Sequence, residues 1–338
     1  DTIEINDDIR SLTSVVCHSL SDVPDIIDTW NEGKVVDVEG YYENAKINRV
    51  YVDRVHVKKA FAEYTAAYNA DDPKIKLKID HTYRVAALCE RIAKAAGMCA
   101  YDVELAWLSG MLHDVGRFEQ IKRYNTFSDA DSVDHAKFGA DLLFKDGLIS
   151  TFLKGMVKCT GYKPGALEDR YGSDGVFLYD RLNKSDMEML ELAIRCHNMY
   201  RIPQGLNRRE QAFCNVLRDA DKVDIFKVNI DTPLEEIYNT TTEELMKSDI
   251  TDEVLEAFDE EHCILKAIRR TPADTVIGHV SLAYELVYDE SVRITVEQGY
   301  LGKLMHFHSD NEETNRKMAM VREKMDSYVK KRIGKKDA

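Results

Sequence analysis

Apolar residues recur at steps of three and four along most of the chain, a spacing that predicts helices rather than strands. The clearest stripe carries His81, Val85, Leu88 and Ile92 and predicts a helix over 80–97, ended by Gly97. The same spacing predicts further helices over 52–68, 102–113, 134–144, 185–199, 208–226 and 312–332. No segment shows the alternation of strand and helix that is typical of a parallel sheet. The pattern therefore predicts an all-α fold, a helical bundle with helical extensions at both ends.

The helical pattern is clearest in the middle of the chain, and its changes along the sequence suggest domain boundaries. We predict an N-terminal extension over 1–60, a core over 61–230 and a C-terminal helical region over 231–338. Within the core, residues 155–185 are rich in glycine, tyrosine and charge, and we predict an insertion or lid there. The length favours about two domains.

Composition excludes several classes of protein. Hydrophobic residues make up 44% and charged residues 31%, a balance that excludes a disordered chain. No apolar run is long enough for a transmembrane helix, so we expect no membrane partner. With 60 acidic and 46 basic residues, the net charge of −14 disfavours duplex nucleic acid as a partner. The seven cysteines form no CxxC pair, and the start at Asp1 shows no secretory leader, so we expect a cytoplasmic protein, with an oligomer left open.

Six polar residues fall at or near the apolar stripes of these helices. They are His81, His113, Asp114, His135, His197 and Asp221. Burying a carboxylate costs several kcal/mol unless it is paired or binds a metal. A single histidine on an apolar stripe is more often a hydrogen-bonded core residue, but four imidazoles and two carboxylates together form a ligand set for one or two divalent metals.

The local sequence around these residues resembles the motifs of a known family. The stretch LSGMLHDVGRFEQ is similar to its apolar helix ending in His-Asp, and RDADKVDIF is similar to its closing Ala-Asp-Lys segment. SVDHAKFGADLLF and AIRCHNMYRIP resemble its third and fourth motifs. The order His…His-Asp…Asp over about 80–227 thus resembles the HD-domain superfamily of metal-dependent phosphohydrolases.

The resemblance implies an α-helical fold around two metal ions, with Mn²⁺, Fe²⁺, another first-row metal or Mg²⁺ as candidates. It implies that His81, His113, Asp114 and Asp221 are ligands, that Asp114 bridges the ions and is catalytic, and that His135 and His197 complete the second ion's shell. Asp219 also lies in the closing motif, but the resemblance places the ligand directly before the basic residue of Ala-Asp-Lys, which favours Asp221 as the ligand.

Two basic residues are candidate substrate contacts. Arg117 follows Asp114 by three residues, where the family often has a lysine that holds a phosphate, and its planar fork can grip phosphate oxygens. Lys222 directly follows Asp221. For Arg117 the alternative is a surface salt bridge. We interpret Asp129, Asp131 and Asp134 as a solvated acidic turn, because the glycine and distal glutamate of a calcium loop are missing.

The expected function is cleavage of a phosphomonoester or phosphodiester bond in a small phosphorylated metabolite, with a nucleotide favoured, by metal-activated water. The sequence departs from cyclic di-GMP hydrolases at His197-Asn198 and from guanosine tetraphosphate hydrolases at Arg117-Phe118. Two alternatives remain open. One is a mixed-valent di-iron oxygenase with the same six ligands, and the other is a regulatory module that binds a nucleotide without turnover.

Overall fold

The computed structural model describes residues 52–153, 184–238 and 240–334, and within these ranges it contains helices and no strands. The helices are α1 (Arg54–Thr65), α2 (Pro73–Ala95), α3 (Ala100–Leu112), α4 (Val115–Tyr124), α5 (His135–Ala140), α6 (Ile149–Leu153), α7 (Lys184–Cys196) and α8 (Arg208–Asp231). They continue as α9 (Leu234–Tyr238), α10 (Thr242–Lys247), α11 (Asp252–Asp259), α12 (Pro272–Val280), α13 (Asp289–Gln298), α14 (Tyr300–Met305) and α15 (Glu312–Ile333). The predicted all-α fold is confirmed.

The chain divides into two compact units. The described part of the smaller unit comprises residues 52–59 and 150–153, where the His56 ring donates a hydrogen bond to the carbonyl of Thr151 at 3.2 Å. The larger unit contains Ala60–Ile149 and the residues from Lys184 onward, with all six predicted ligands. The predicted insertion over 155–185 and the N-terminal extension over 1–60 fall mostly outside the described residues.

Helix α2 shows how local sequence sets an element. Its stripe of His81, Val85, Leu88 and Ile92 is buried, as the spacing predicts. The helix begins at Pro73, seven residues earlier than predicted, because Asp72 caps it by accepting a hydrogen bond from the Lys74 amide, and proline is well tolerated in the first turn.

The His113-Asp114 pair lies at a junction between two helices. Helix α3 is buried on nearly all sides and ends at Leu112, and Asp114 leaves helical geometry with φ −106° and ψ 15°. A second helix, α4, begins immediately at Val115. The helix predicted over 102–113 agrees with α3 to within two residues at its start and one at its end, whereas no helix was predicted over α4, which contains Gly116.

Helix α8 contacts both the helices that carry the predicted ligands and the C-terminal helices. This helix packs against α2, α3 and α7 on the side of the predicted ligands. Toward the C-terminal helices, its Phe226 joins an apolar core with residues such as Val254, Ile277 and Val321. The capping box of Asn207 and Glu210 starts the helix. None of the helices in the described ranges combines the length and apolar character needed to cross a bilayer.

Gly116 allows the close approach of α4 and α5. A Cβ atom at this position would lie 2.7 Å from the backbone nitrogen of Gly139, closer than real side chains approach. We expect Gly116→Ala to lower the free energy of unfolding by about 1–3 kcal/mol. The atoms that the new methyl group would meet belong to the backbone of His135 and Gly139, which cannot rotate away as a side chain could. Urea titration will measure this loss.

The matched control is Gly302→Ala in α14, where no described residue outside the neighbouring turns of that helix brings an atom within 4 Å of the added methyl group. This change should leave stability unaltered or raise it by up to about 1 kcal/mol, as alanine favours helix. Equal effects of the two substitutions would contradict the packing argument.

Candidate metal centre

The four predicted histidines converge at the middle of the bundle. His81 is carried by α2, His113 follows α3, His135 begins α5 and His197 follows α7. All four side chains are buried. The Nε2 atoms of His81 and His113 are 3.3 Å apart, and those of His135 and His197 are 3.1 Å apart. The histidines therefore form two pairs.

An acceptor on the outer side of each ring fixes its orientation. The Nδ1 contacts are His81 to the Asp224 carboxylate at 2.6 Å, His113 to the Gly110 carbonyl at 2.7 Å, His135 to the Asp129 carboxylate at 2.7 Å and His197 to the Ile194 carbonyl at 2.7 Å. Carbonyl and carboxylate oxygens only accept, so each Nδ1 carries the proton and donates it. The Nε2 atoms are thereby turned inward, the arrangement that metal-binding histidines show.

Two of the inward imidazoles are neutral near pH 7. Burial lowers the pKa of His113 to about 3 and that of His135 to about 4. Their Nε2 lone pairs are thus available to a cation. Burial also lowers the pKa of His81, but the carboxylates of Asp221 and Asp224 outweigh that effect and raise it.

Asp114 lies between the two histidine pairs. Its Oδ2 atom is 3.6 Å from the Nε2 atoms of both His81 and His113. Its Oδ1 atom is 3.5 Å from His135 Nε2 and 3.7 Å from His197 Nε2, is buried, and has no hydrogen-bond partner among the described residues. A buried carboxylate oxygen without a partner is costly. A cation between the histidines would supply the missing partner, so this donor set fits divalent metal ions.

Asp221 completes the first histidine pair. Its Oδ1 atom is 3.2 Å from His81 Nε2 and 3.8 Å from His113 Nε2. Burial alone would raise the pKa of Asp221, but the hydrogen bond with His81 holds it below its usual range. Asp219, the other candidate, instead accepts hydrogen bonds from the backbone amides of Val287 and Tyr288, at 3.0 Å each. Asp219 therefore fastens the C-terminal helices to α8, and Asp221 is the residue that faces the imidazoles.

Arg117 is held beside Asp114 through one of its nitrogens. Its Nη1 donates to Gln120 Oε1 at 2.8 Å, to the Phe127 carbonyl at 2.7 Å and to Asp129 Oδ1 at 2.9 Å. Its Nε lies 3.8 Å from Asp114 Oδ1 and makes no hydrogen bond within the part of the chain that the structure describes. The guanidinium is thus positioned next to the centre with donors still unused.

Lys222 lies beside the centre rather than in it. It forms no hydrogen bond or ion pair with the described residues, and its charged neighbours include Arg218, Asp219 and Glu285. Burial, reinforced by the charge of Arg218, lowers its pKa. Its predicted role as a substrate contact stays a prediction.

Sequence reasoning missed three residues of the centre. Lys78 Nζ lies 2.7 Å from Asp114 Oδ2, and Asp224 binds both His81 and Arg84. Lys78 precedes His81 by three residues and Asp224 follows Asp221 by three, so the helical period was an available signal. Asp129 was interpreted as part of a solvated turn, and this was wrong: it is half-buried and contacts both His135 and Arg117.

Facing helices of this bundle bring together two pairs of inward imidazoles and one carboxylate between them. Metal-binding helical proteins build their sites in this way. The sequence model of the HD domain matches residues 79–268, more than half of the chain. The chain belongs to the HD-domain family, the superfamily of metal-dependent phosphohydrolases. The match runs past the end of α8 into the C-terminal helices. No curated protein and no solved structure matches the chain.

Proposed function

We propose that this chain is a dinuclear phosphohydrolase that cleaves a phosphomonoester or phosphodiester bond of a small phosphorylated metabolite, with a nucleotide as the favoured substrate. One observation carries the proposal: the two oxygens of Asp114 face different histidine pairs, at 3.5–3.7 Å. A carboxylate in this position suits two cations better than one.

The first ion would be held by His81, His113, Asp221 and Asp114, and the second by His135, His197 and Asp114. When bound, such ions supply Lewis acidity that makes water nucleophilic near neutral pH and neutralises phosphoryl charge. The protein's own contribution is to fix the ligands before substrate arrives. The acceptors on the four Nδ1 atoms do this, because they leave each ring a single orientation.

Arg117 would bind the phosphoryl group. Three acceptors hold its Nη1, while Nε and Nη2 make no hydrogen bond with the described residues. Charge-assisted donors that are already oriented stabilise the charge that develops on phosphoryl oxygens. Lys78, whose Nζ contacts Asp114 at 2.7 Å, adds a second positive charge at the same carboxylate.

The test is a screen for phosphate release. Protein purified without oxygen is analysed for metals, loaded with Mn²⁺ or Fe²⁺, and assayed on phosphomonoesters and phosphodiesters, nucleotides included. We expect anaerobic turnover with either metal, because hydrolysis needs no redox change. Chelator-treated protein and an exposed-histidine variant, His306→Ala, serve as the inactive and active controls.

Each contrary result favours a different alternative. Turnover that requires both iron and O₂, without phosphate release, would replace hydrolysis by oxygenation. Tight nucleotide binding with no turnover under any metal would indicate the regulatory module.

A further inference from the structure

In each histidine pair, one Nδ1 atom donates to a backbone carbonyl and the other to a carboxylate. The two carbonyls lie three residues before their histidines, in the last turn of the preceding helix, so local helix geometry supplies them. The carboxylates are Asp224 for His81 and Asp129 for His135, and they come from other segments. Each pair therefore has one charged contact on its outer side.

The two carboxylates have different surroundings. Asp224 on α8 is buried, and Arg84 donates to both of its oxygens, at 2.6 and 2.9 Å. Asp129 lies in the loop between α4 and α5, and 31% of its side chain is exposed. Asp224 thus holds one histidine through a closed ion pair, whereas Asp129 has further contacts that Asp224 lacks.

Asp129 accepts hydrogen bonds from three side chains besides His135. Its Oδ1 atom accepts from Arg117 Nη1 at 2.9 Å and from Gln120 Nε2 at 3.0 Å. Its Oδ2 atom accepts from Nδ2 of Asn198 at 3.4 Å, directly after a predicted ligand of the same ion. A single carboxylate thereby joins a predicted metal ligand to the arginine that we propose for phosphate binding.

Three hydrogen bonds close a ring between Asp129 and Arg117. The Nη1 atom of Arg117 donates to Gln120 Oε1, Gln120 Nε2 donates to Asp129 Oδ1, and Nη1 donates to the same oxygen. The other oxygen of Asp129 lies 2.7 Å from His135 Nδ1. Because one carboxylate fixes both the imidazole and the guanidinium, a change in the position of either alters the contact of the other. Binding events at two groups linked in this way affect each other reciprocally.

We propose that Asp129 is a positioning residue that couples the ion held by His135 and His197 to phosphate binding at Arg117. Its carboxylate holds the imidazole and the guanidinium in their binding orientations. The presence of that ion and the role of Arg117 rest on the proposed function. The test therefore measures the binding of metal and of phosphate without turnover.

The first measurement is metal affinity. Chelator-treated protein is titrated with Co²⁺ and followed by visible absorption. Asp129→Asn keeps the size of the side chain but places an amide donor among three donors, so at least one of them loses its acceptor. We expect one ion to bind about 10–100-fold more weakly and the other to bind as before. Asp224→Asn should weaken the other ion instead. Asp131→Asn, an exposed residue of the same loop, should change neither.

A second background identifies the ion that Asp129 affects. His197→Ala is expected to hold only the ion of His81 and His113. In this background Asp129→Asn should cause no further loss of Co²⁺ affinity. A further loss there, or equal weakening of both ions by Asp129→Asn alone, would show a general loosening of the bundle and overturn the proposal.

The second measurement is the binding of inorganic phosphate to protein saturated with Mn²⁺, by calorimetry. Asp129→Asn should weaken this binding about tenfold. In an Arg117→Ala background the same substitution should have no effect, because Asp129 acts on phosphate only through Arg117. Additive losses in the double variant would contradict the coupling.

The outcomes separate this proposal from the proposed function. Phosphate release by the unchanged protein, with the same Co²⁺ and phosphate affinities in Asp129→Asn, overturns the role of Asp129 and leaves hydrolysis standing. Selective weakening of one ion and of phosphate in Asp129→Asn, in a chain that hydrolyses no ester, supports the role of Asp129 and overturns hydrolysis.

Discussion

An Asp114→Asn variant is expected to lose both metal ions and to reduce phosphohydrolase activity by roughly 1,000-fold or more. The carboxamide keeps the size of the side chain but removes its negative charge and replaces one oxygen by a donor. Since the oxygens of Asp114 face both histidine pairs, either orientation of the amide turns a donor toward one pair. Metal analysis after gel filtration, together with the phosphate-release assay, measures both effects.

Variants of the other ligands give a graded comparison. His135→Ala or His197→Ala should lose one ion preferentially, because these residues face only Oδ1 of Asp114. Asp131→Asn, an exposed residue of the neighbouring loop, should retain both ions. Full metal content in Asp114→Asn would show that Asp114 does not bridge, and metal loss in Asp131→Asn would point to a general effect on the loop.

Arg117→Ala is expected to lower kcat/KM by roughly 100-fold while the protein keeps its metals and its helix content. The reason lies in the position of the guanidinium, which is fixed through Nη1 with its Nε facing Asp114. Removing it takes away charge-assisted donors without touching a ligand. Arg117→Lys should recover only part of the rate, because an ammonium lacks the planar fork.

Arg123 offers a matched control on the same helix. It is exposed, pairs with Glu119 at 2.9 Å and lies 5.0 Å from the Phe138 ring. Neither of these residues is a predicted ligand, so Arg123→Ala should retain full activity. Unchanged phosphate release in Arg117→Ala would leave hydrolysis intact and remove Arg117 from the phosphate site. A rate that depends on O₂ and iron in both the unchanged protein and the variant would favour the oxygenase.

Much of the fold is encoded locally. The buried stripe of α2 and the charged helix α15 follow the predicted period, and the latter differs from its predicted range by one residue. The errors lie at the boundaries of elements. Helix α2 begins seven residues before its predicted start, because Asp72 caps it ahead of Pro73, and no helix was predicted over α4. Proline and glycine near a boundary are compatible with either a helix start or a helix end.

The residues that contact the predicted ligands illustrate the same limit. Asp224 contacts His81 across 143 residues of sequence, and Lys78 contacts Asp114 across 36. Such contacts depend on how α2, α3 and α8 pack, and packing is not a property of any local window. Asp129 was assigned to a solvated turn for this reason. A solvated turn and a turn that packs against His135 have the same sequence pattern.

The sequence by itself determined that the chain is helical, that it belongs to the HD-domain family and that six histidine and aspartate side chains are candidates for one metal centre. It could do so because helical periodicity and motif order are properties of the linear chain. The tertiary structure alone decided how the histidines pair, which oxygen of Asp114 faces each pair, and which backbone amides Asp219 binds instead. These are distances of a few ångströms between residues that are distant in sequence, and they are set when the helices pack and exclude water from the ligands.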